Sequence, residues 1–172
     1  MKSAKILALT HSAPEYTPAK VLLVESDPAA ATVIEGNLKK EDAQWVEVHH
    51  ATSLAEGVCK LADSRFDVLI LDLDQPDGQG VYCIELIRSQ NPHIPLIVLT
   101  AEADQMCLRR YVESGAQDCL PKESISSQSI VHFVRYAIVR RAREEERASL
   151  QHKDTLTGLL NRKLYTIGLI ML

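Results

Sequence analysis

From residue 20 onward the chain alternates short apolar runs with longer segments in which apolar residues recur at helical spacing. The short runs predict five strands, over 21–25, 45–49, 67–72, 95–100 and 117–120. The longer segments predict helices near 28–40, 53–64, 79–90 and 104–114, and a fifth that begins around Ser126. Asp27 followed by Pro28 marks the start of the first helix, since the carboxylate can accept free backbone N–H groups and proline suits the first helical position. Val68, Leu69, Ile70 and Leu71 are apolar without alternation, and so are Leu96, Ile97, Val98 and Leu99. Strands of that kind are buried on both faces, as in a parallel sheet covered by helices. The strict alternation of strand and helix therefore predicts an α/β fold with a doubly wound, five-stranded parallel sheet and right-handed crossovers.

In such a sheet, ligands bind beyond the carboxyl ends of the strands. Polar residues sit at four of these five ends: Glu25, Ser26 and Asp27 after the first strand, Asp72 and Asp74 after the third, Thr100 after the fourth and Lys122 just past the fifth. Carboxylates brought together there repel one another unless a hard divalent cation lies among them, and oxygen ligands suit Mg²⁺. A lysine opposite can neutralise a phosphoryl oxygen, and a threonine hydroxyl can hydrogen-bond another. Asp27 taken alone reads as a helix cap. Asp72 instead leaves an apolar strand directly and precedes Leu73-Asp74-Gln75-Pro76-Asp77-Gly78, a stiff turn that holds its carboxylate at the sheet edge.

Composition narrows the alternatives. With 172 residues and 46% hydrophobic content the chain can build a real core, which excludes a disordered or fibrous class. A formal charge of −4 provides no general basic field, so no direct nucleic-acid binding is expected. The apolar start of the chain is too short for a secretory signal, and no run of about 18 apolar residues predicts a membrane span. Cys59, Cys83, Cys107 and Cys119 show no metal-ligand spacing and read as reduced core thiols of a cytoplasmic protein. His49 and His50 read as ordinary strand-end residues, and no glycine-rich nucleotide loop follows the first strand.

The segments Val21-Leu22-Leu23-Val24-Glu25-Ser26-Asp27-Pro28, Asp67 through Asp72 to Gly78, Pro95 through Thr100 to Ala101, and Gly115 through Pro121 to Lys122 together resemble the response-regulator receiver family over about residues 20–140. The resemblance implies a flavodoxin-like receiver fold, with Asp72 accepting a phosphoryl group from a sensor histidine kinase or phosphotransfer protein. It further implies that Glu25, Asp72 and Asp74 (through its backbone) hold Mg²⁺, with Ser26 or Asp27 as further candidates. Thr100 would sense the phosphoryl group and Lys122 would pair with it. Three positions depart from the family pattern. Ser26 stands where a second acidic residue is usual, Cys119 where an aromatic switch residue is usual, and Glu123 where proline commonly follows the lysine.

Residues 1–19, with prolines at 14 and 18, read as a flexible N-terminal extension. The fifth helix carries an apolar face of Ile130, Val134, Ala137 and Ile138 and continues into a charged linker over 141–153, with Arg140–Glu144 and Arg141–Glu145 pairs at helical spacing. A solvated helix and a homodimeric coiled coil are both open for this extended C-terminal helix. Residues 154–172 then resemble the opening of a GGDEF diguanylate cyclase domain, without its catalytic turn, so no cyclase activity is expected of this chain. The leading expectation is a phosphorylated signalling module. The alternatives are a fragment of a receiver-linked cyclase and a phosphorylation-independent interaction module.

Overall fold

In the computed structural model, residues 17–40, 43–101 and 104–152 are described. The elements are β1 (Ala19–Val24), α1 (Pro28–Lys39), β2 (Val46–Ala51), α2 (Leu54–Asp63) and β3 (Val68–Asp72). A small hairpin of β4 (Asp74–Gln75) and β5 (Gly78–Gln79) follows. Beyond it lie α3 (Val81–Gln90), β6 (Leu96–Thr100), α4 (Gln105–Glu113), β7 (Asp118–Pro121), a 3₁₀ turn (Lys122–Ser124) and α5 (Ser127–His152). All five expected strands and five expected helices form, with ends shifted by one or two residues. The hairpin was not anticipated. Where a stiff turn is expected after Asp72, Asp74 pairs with Gln79 and Gln75 with Gly78.

The main sheet has the order β2-β1-β3-β6-β7, and all its pairings are parallel. The chain runs outward from β1 to β2, then crosses back to β3 and the far edge. The order reverses between β1 and β3, and this is the crevice where doubly wound sheets bind ligands. Alternation along β1 explains the two-layer core. Val21 and Leu23 join the layer under α1 and α5, with Ile34, Leu38, Ile130 and Val134. Leu22 and Val24 join the layer under α2, α3 and α4, with Leu54, Ile84, Ile87 and Tyr111. Each fully buried side chain of this kind contributes roughly 1.5–3 kcal/mol.

Several local devices hold the frame. The Asp27 carboxylate caps α1, accepting from the Ala29 N–H at 2.9 Å. The start of α2 is capped by Ser53, whose hydroxyl accepts from the Glu56 N–H at 3.2 Å, and by Asp77, whose carboxylate takes the Leu54 and Ala55 N–H groups at 3.0 and 2.8 Å. Trp45 is buried, donates from Nε1 to the Leu38 carbonyl at 2.8 Å and carries the Arg135 guanidinium over its ring at 4.9 Å. The Arg88 guanidinium is spent on backbone carbonyls, at 2.7 Å to Ile94 and 2.7 and 2.9 Å to Gly115.

The C-terminal helix is a single element of 26 residues that runs on past position 140. The Arg140–Glu144 and Arg141–Glu145 pairs form at 3.1 and 3.0 Å, and Arg141 also donates to the His93 carbonyl. Among the cysteines only Cys83 is buried. Cys107 and Cys119 are half-buried and Cys59 is exposed, which corrects the reading of all four as core thiols: Cys59 falls on the outer side of α2. Among the described residues no helix is long and apolar enough to cross a membrane. The GGDEF-like stretch over 154–172 and most of the N-terminal extension lie outside the described residues.

Candidate functional site

The carboxyl ends of β1, β3 and β6 deliver Glu25, Asp72 and Thr100 to one edge of the sheet, and all three are buried. They are held there because the strands that carry them are buried on both faces, so their ends cannot move independently of the core. Lys122, in the turn after β7, reaches across to this edge. Its Nζ lies 2.7 Å from Asp72 Oδ2 and 3.5 Å from Glu25 Oε2.

Each carboxylate oxygen has a defined environment. Asp72 Oδ1 accepts from the Asp74 N–H at 3.2 Å, and Asp72 Oδ2 takes Lys122. Glu25 Oε1 accepts from the Asp27 N–H at 3.0 Å. Glu25 Oε2 is buried with no hydrogen-bond donor, its contact with Lys122 being an ion pair only. Burial pushes the Glu25 carboxyl above its ordinary range. The Asp27 N–H opposes that rise, the charge of Asp72 adds to it and Lys122 pulls it back. For Lys122, burial alone would lower the ammonium's pKa, but the hydrogen bond to Asp72 and the charges of Asp72 and Glu25 outweigh it and raise it.

The expected residues therefore separate into two groups. Glu25, Asp72 and Lys122 touch one another, and Thr100 lines the same cavity as Asp72. Asp74 contributes its backbone: its carboxylate is exposed and accepts from Gln79 Nε2 at 3.2 Å. Asp27 faces α1 as its cap, and Ser26 is half-buried between them. Among the described residues no group of three or more histidine, cysteine, aspartate or glutamate side chains gathers as a metal site. The donor set still fits Mg²⁺, which is commonly held by one or two carboxylates with waters completing the shell. The unmet demand of Glu25 Oε2 is the local observation that favours a cation there.

Three contacts escape sequence reasoning. Gln75 is buried, and its Nε2 donates to the carbonyls of Asp72 at 3.1 Å and Val24 at 3.4 Å, tying the ends of β3 and β1 together. His50 Nε2 donates to the Glu25 carbonyl at 2.7 Å. The Cys119 thiol donates to the Leu108 carbonyl at 3.8 Å, joining β7 to α4 where an aromatic ring is usual. Burial and the neighbouring Asp118 charge push that thiol up to about 11, so it stays protonated. Position three after an acidic strand end would have drawn attention to Gln75. The other two depend on long-range packing.

Residues 21–135 match the model of the response regulator receiver domain. The chain belongs to the response regulator receiver family. It is similar to the transcriptional regulatory protein CpxR of Escherichia coli, 30% identical over 127 residues that make up 74% of this chain and 52% of CpxR. It is also similar to the transcriptional regulatory protein TrcR of Mycobacterium tuberculosis, 32% identical over 132 residues, 76% of this chain and 49% of TrcR. This receiver chain thus spans about half the length of these two relatives. Their names are those of transcriptional regulators rather than cyclases, and they give no support to the expectation that nucleic acid is excluded as a partner.

Among solved structures, a putative response regulator from Chloroflexus aurantiacus superposes with a TM-score of 0.64 at 27% identity, covering 72% of this chain and 99% of that one. The receiver domain of the Francisella response regulator 1452 does so with a TM-score of 0.64 at 24% identity, covering 71% and 98%, and bears on the fold alone. Receiver domains as a family take a phosphoryl group from a kinase and bind Mg²⁺ where they do so.

Proposed function

We propose that this receiver, spanning about residues 20–140, accepts a phosphoryl group on Asp72 from a sensor histidine kinase or phosphotransfer protein in the cytoplasm and passes the signal on through α5. One observation carries the reading: a buried carboxylate, Asp72, with one oxygen on a lysine and the other on a backbone N–H, beside a second buried carboxylate with an unmet oxygen. Such an arrangement is costly unless an incoming charged group uses it.

In this mechanism Asp72 supplies the nucleophilic oxygen. The Lys122 ammonium offsets the charge that builds on the transferring phosphoryl oxygens, and Thr100 offers a hydroxyl to another. Glu25, Asp72 and the Asp74 backbone would hold Mg²⁺, which supplies charge neutralisation for the phosphoryl oxygens when bound. Gln75 keeps the two acidic strand ends in register by tying their backbones.

The test is incubation of the full chain with Mg²⁺ and a small phosphodonor, with the adduct located by mass spectrometry. Labelling confined to Asp72 and lost in Asp72→Asn supports the reading, and undiminished labelling in that variant overturns it. A second reading, a receiver that signals without phosphorylation, is favoured by the small acidic set: two side-chain carboxylates converge, while Asp27 is committed to α1. Absence of labelling in the wild type would support it.

A further inference from the structure

Beside Asp72 the surface opens into a cavity of about 560 Å³ between the β4–β5 hairpin, the end of β6 and α4. That volume is in the range of a site for a whole small molecule. Its inner wall is acidic, with Asp72 and Asp74 on it and Glu25 in ion-pair contact with the same lysine as Asp72. Its opposite wall is one face of α4. Cys107, Arg110 and Tyr111 all line it, at the i, i+3 and i+4 spacing that places side chains together on a helix.

Arg110 differs from the arginines around it. Arg109 is paired with Glu113 at 2.8 Å, Arg140 and Arg141 are paired with glutamates one turn on, and Arg88 is consumed by carbonyls. Among the described residues no carboxylate pairs with Arg110, and of those lining the cavity it is the only cation. A phosphoryl donor carries negative charge toward a wall that already holds carboxylates, and Lys122 is engaged by two of them. An arginine across the cavity offsets that repulsion with a fork of donors shaped for phosphoryl oxygens.

The geometry points to Arg110 as a positioning residue that draws small anionic phosphoryl donors into this cavity and orients them toward Asp72. The inference rests on Asp72 being the acceptor. With phosphoramidate as donor, an Asp72 oxygen forms the new O–P bond while the P–N bond breaks. Its electron pair stays on nitrogen, which already carries three protons in the zwitterionic donor and departs as ammonia. Arg110 forms no bond in the step; it acts on the encounter and the pose.

The experiment measures the initial rate of Asp72 labelling in the full chain, with Mg²⁺ present, against phosphoramidate concentration, for wild type, Arg110→Ala, Arg110→Lys and Arg109→Ala. The expected result is a half-saturating donor concentration raised about tenfold in Arg110→Ala, the order expected for loss of a charge-assisted hydrogen bond. The maximal rate should change little, Arg110→Lys should recover part of the loss, and Arg109→Ala should match wild type. Unchanged half-saturation in Arg110→Ala overturns the inference, as does a fall in maximal rate alone or an equal shift in Arg109→Ala, which would make the effect one of overall charge. A wild type that takes no label at Asp72 overturns the functional reading itself, and this inference with it.

Discussion

Replacing Lys122 with methionine keeps the length of the side chain and removes its charge, and the consequence can be worked from two distances. At an effective dielectric near 20, a unit charge 2.7 Å from Asp72 and 3.5 Å from Glu25 is worth about 6 and about 5 kcal/mol of attraction. Much of this is offset by the cost of bringing the ammonium out of water, and Lys122 keeps a third of its side chain exposed. Removing one partner of a buried ion pair costs about 3–5 kcal/mol, and partial exposure puts this case near or below the lower end, at about 2–3 kcal/mol. The two carboxylates would then face each other without a cation. Glu25, already raised, would be driven further up.

That shift fixes the pH dependence. A carboxyl whose pKa is raised by folding binds its proton more tightly in the native state, so its contribution is fully favourable below its ordinary value of 4.5 and is lost as the pH rises through the folded value. Lys122→Met should therefore be most destabilised relative to wild type near pH 8, with the gap closing as pH falls toward 5. Urea unfolding followed by Trp45 fluorescence reads this directly, because that ring is buried in the native core. The midpoint should fall by about 1–2 M at pH 8. Adding Mg²⁺ should stabilise the variant more than the wild type, since the ion replaces the missing charge. A variant as stable as wild type at pH 8, or a gap that does not narrow on acidification, would refute the electrostatic account of the site.

Three further outcomes are expected. Ser26→Asp should tighten Mg²⁺ binding by calorimetry, because it adds a carboxylate beside Glu25; equal affinities would show that the missing charge is fully compensated. Asp77→Ala should lower stability by about 1 kcal/mol through loss of the α2 cap. Burial works against the Asp77 carboxylate, but the Ala55 and Leu54 N–H groups outweigh it and lower its pKa, so the cap's contribution, measured by urea unfolding, should be present above its ordinary value of 3.8 and lost as pH falls below it. Gly115→Ala should lower the thermal midpoint, since residue 115 has φ +114° and a Cβ there would meet Arg88 at 3.0 Å; an unchanged midpoint would show that this turn relaxes freely.

Much of this fold was legible because its signals are local. Val68–Leu71 and Leu96–Leu99 announce buried parallel strands, and Asp27-Pro28 announces a helix start that the structure builds with the expected cap. Glu25, Asp72, Thr100 and Lys122 were legible for a related reason: parallel strands bring their carboxyl ends to one edge, so a polar residue at a strand end can be placed once the strand is placed. Asp74 was harder. Its sequence position puts it beside Asp72, but the β4–β5 hairpin turns its exposed carboxylate to Gln79 at the rim of the cavity, and it is the backbone N–H that reaches Asp72. The pairing of two-residue strands carries almost no sequence signal, so the direction of that side chain could not be read.

The contacts of Gln75, Cys119 and Arg110 were illegible for a different reason. Gln75 and Arg110 lie on segments that close over the sheet edge, Cys119 lies on the edge strand β7, and each acts on a group brought near by tertiary packing. Gln75 reaches the Val24 carbonyl 51 positions earlier, Cys119 reaches Leu108, and Arg110 faces Asp72 across a cavity. A strand interior is dictated by hydrophobic burial, which many residues satisfy in the same way. A polar contact at the edge depends on one donor meeting one acceptor, and exchanging glutamine for an apolar residue or a ring for a thiol leaves the strand pattern untouched. This chain keeps the receiver fold and two buried carboxylates at its edge, and a thiol–carbonyl contact links β7 to α4. Arg110 lies on α4 and lines the cavity beside Asp72 without belonging to the acidic cluster, so its substitution is the one that separates binding of the donor from the chemistry at Asp72.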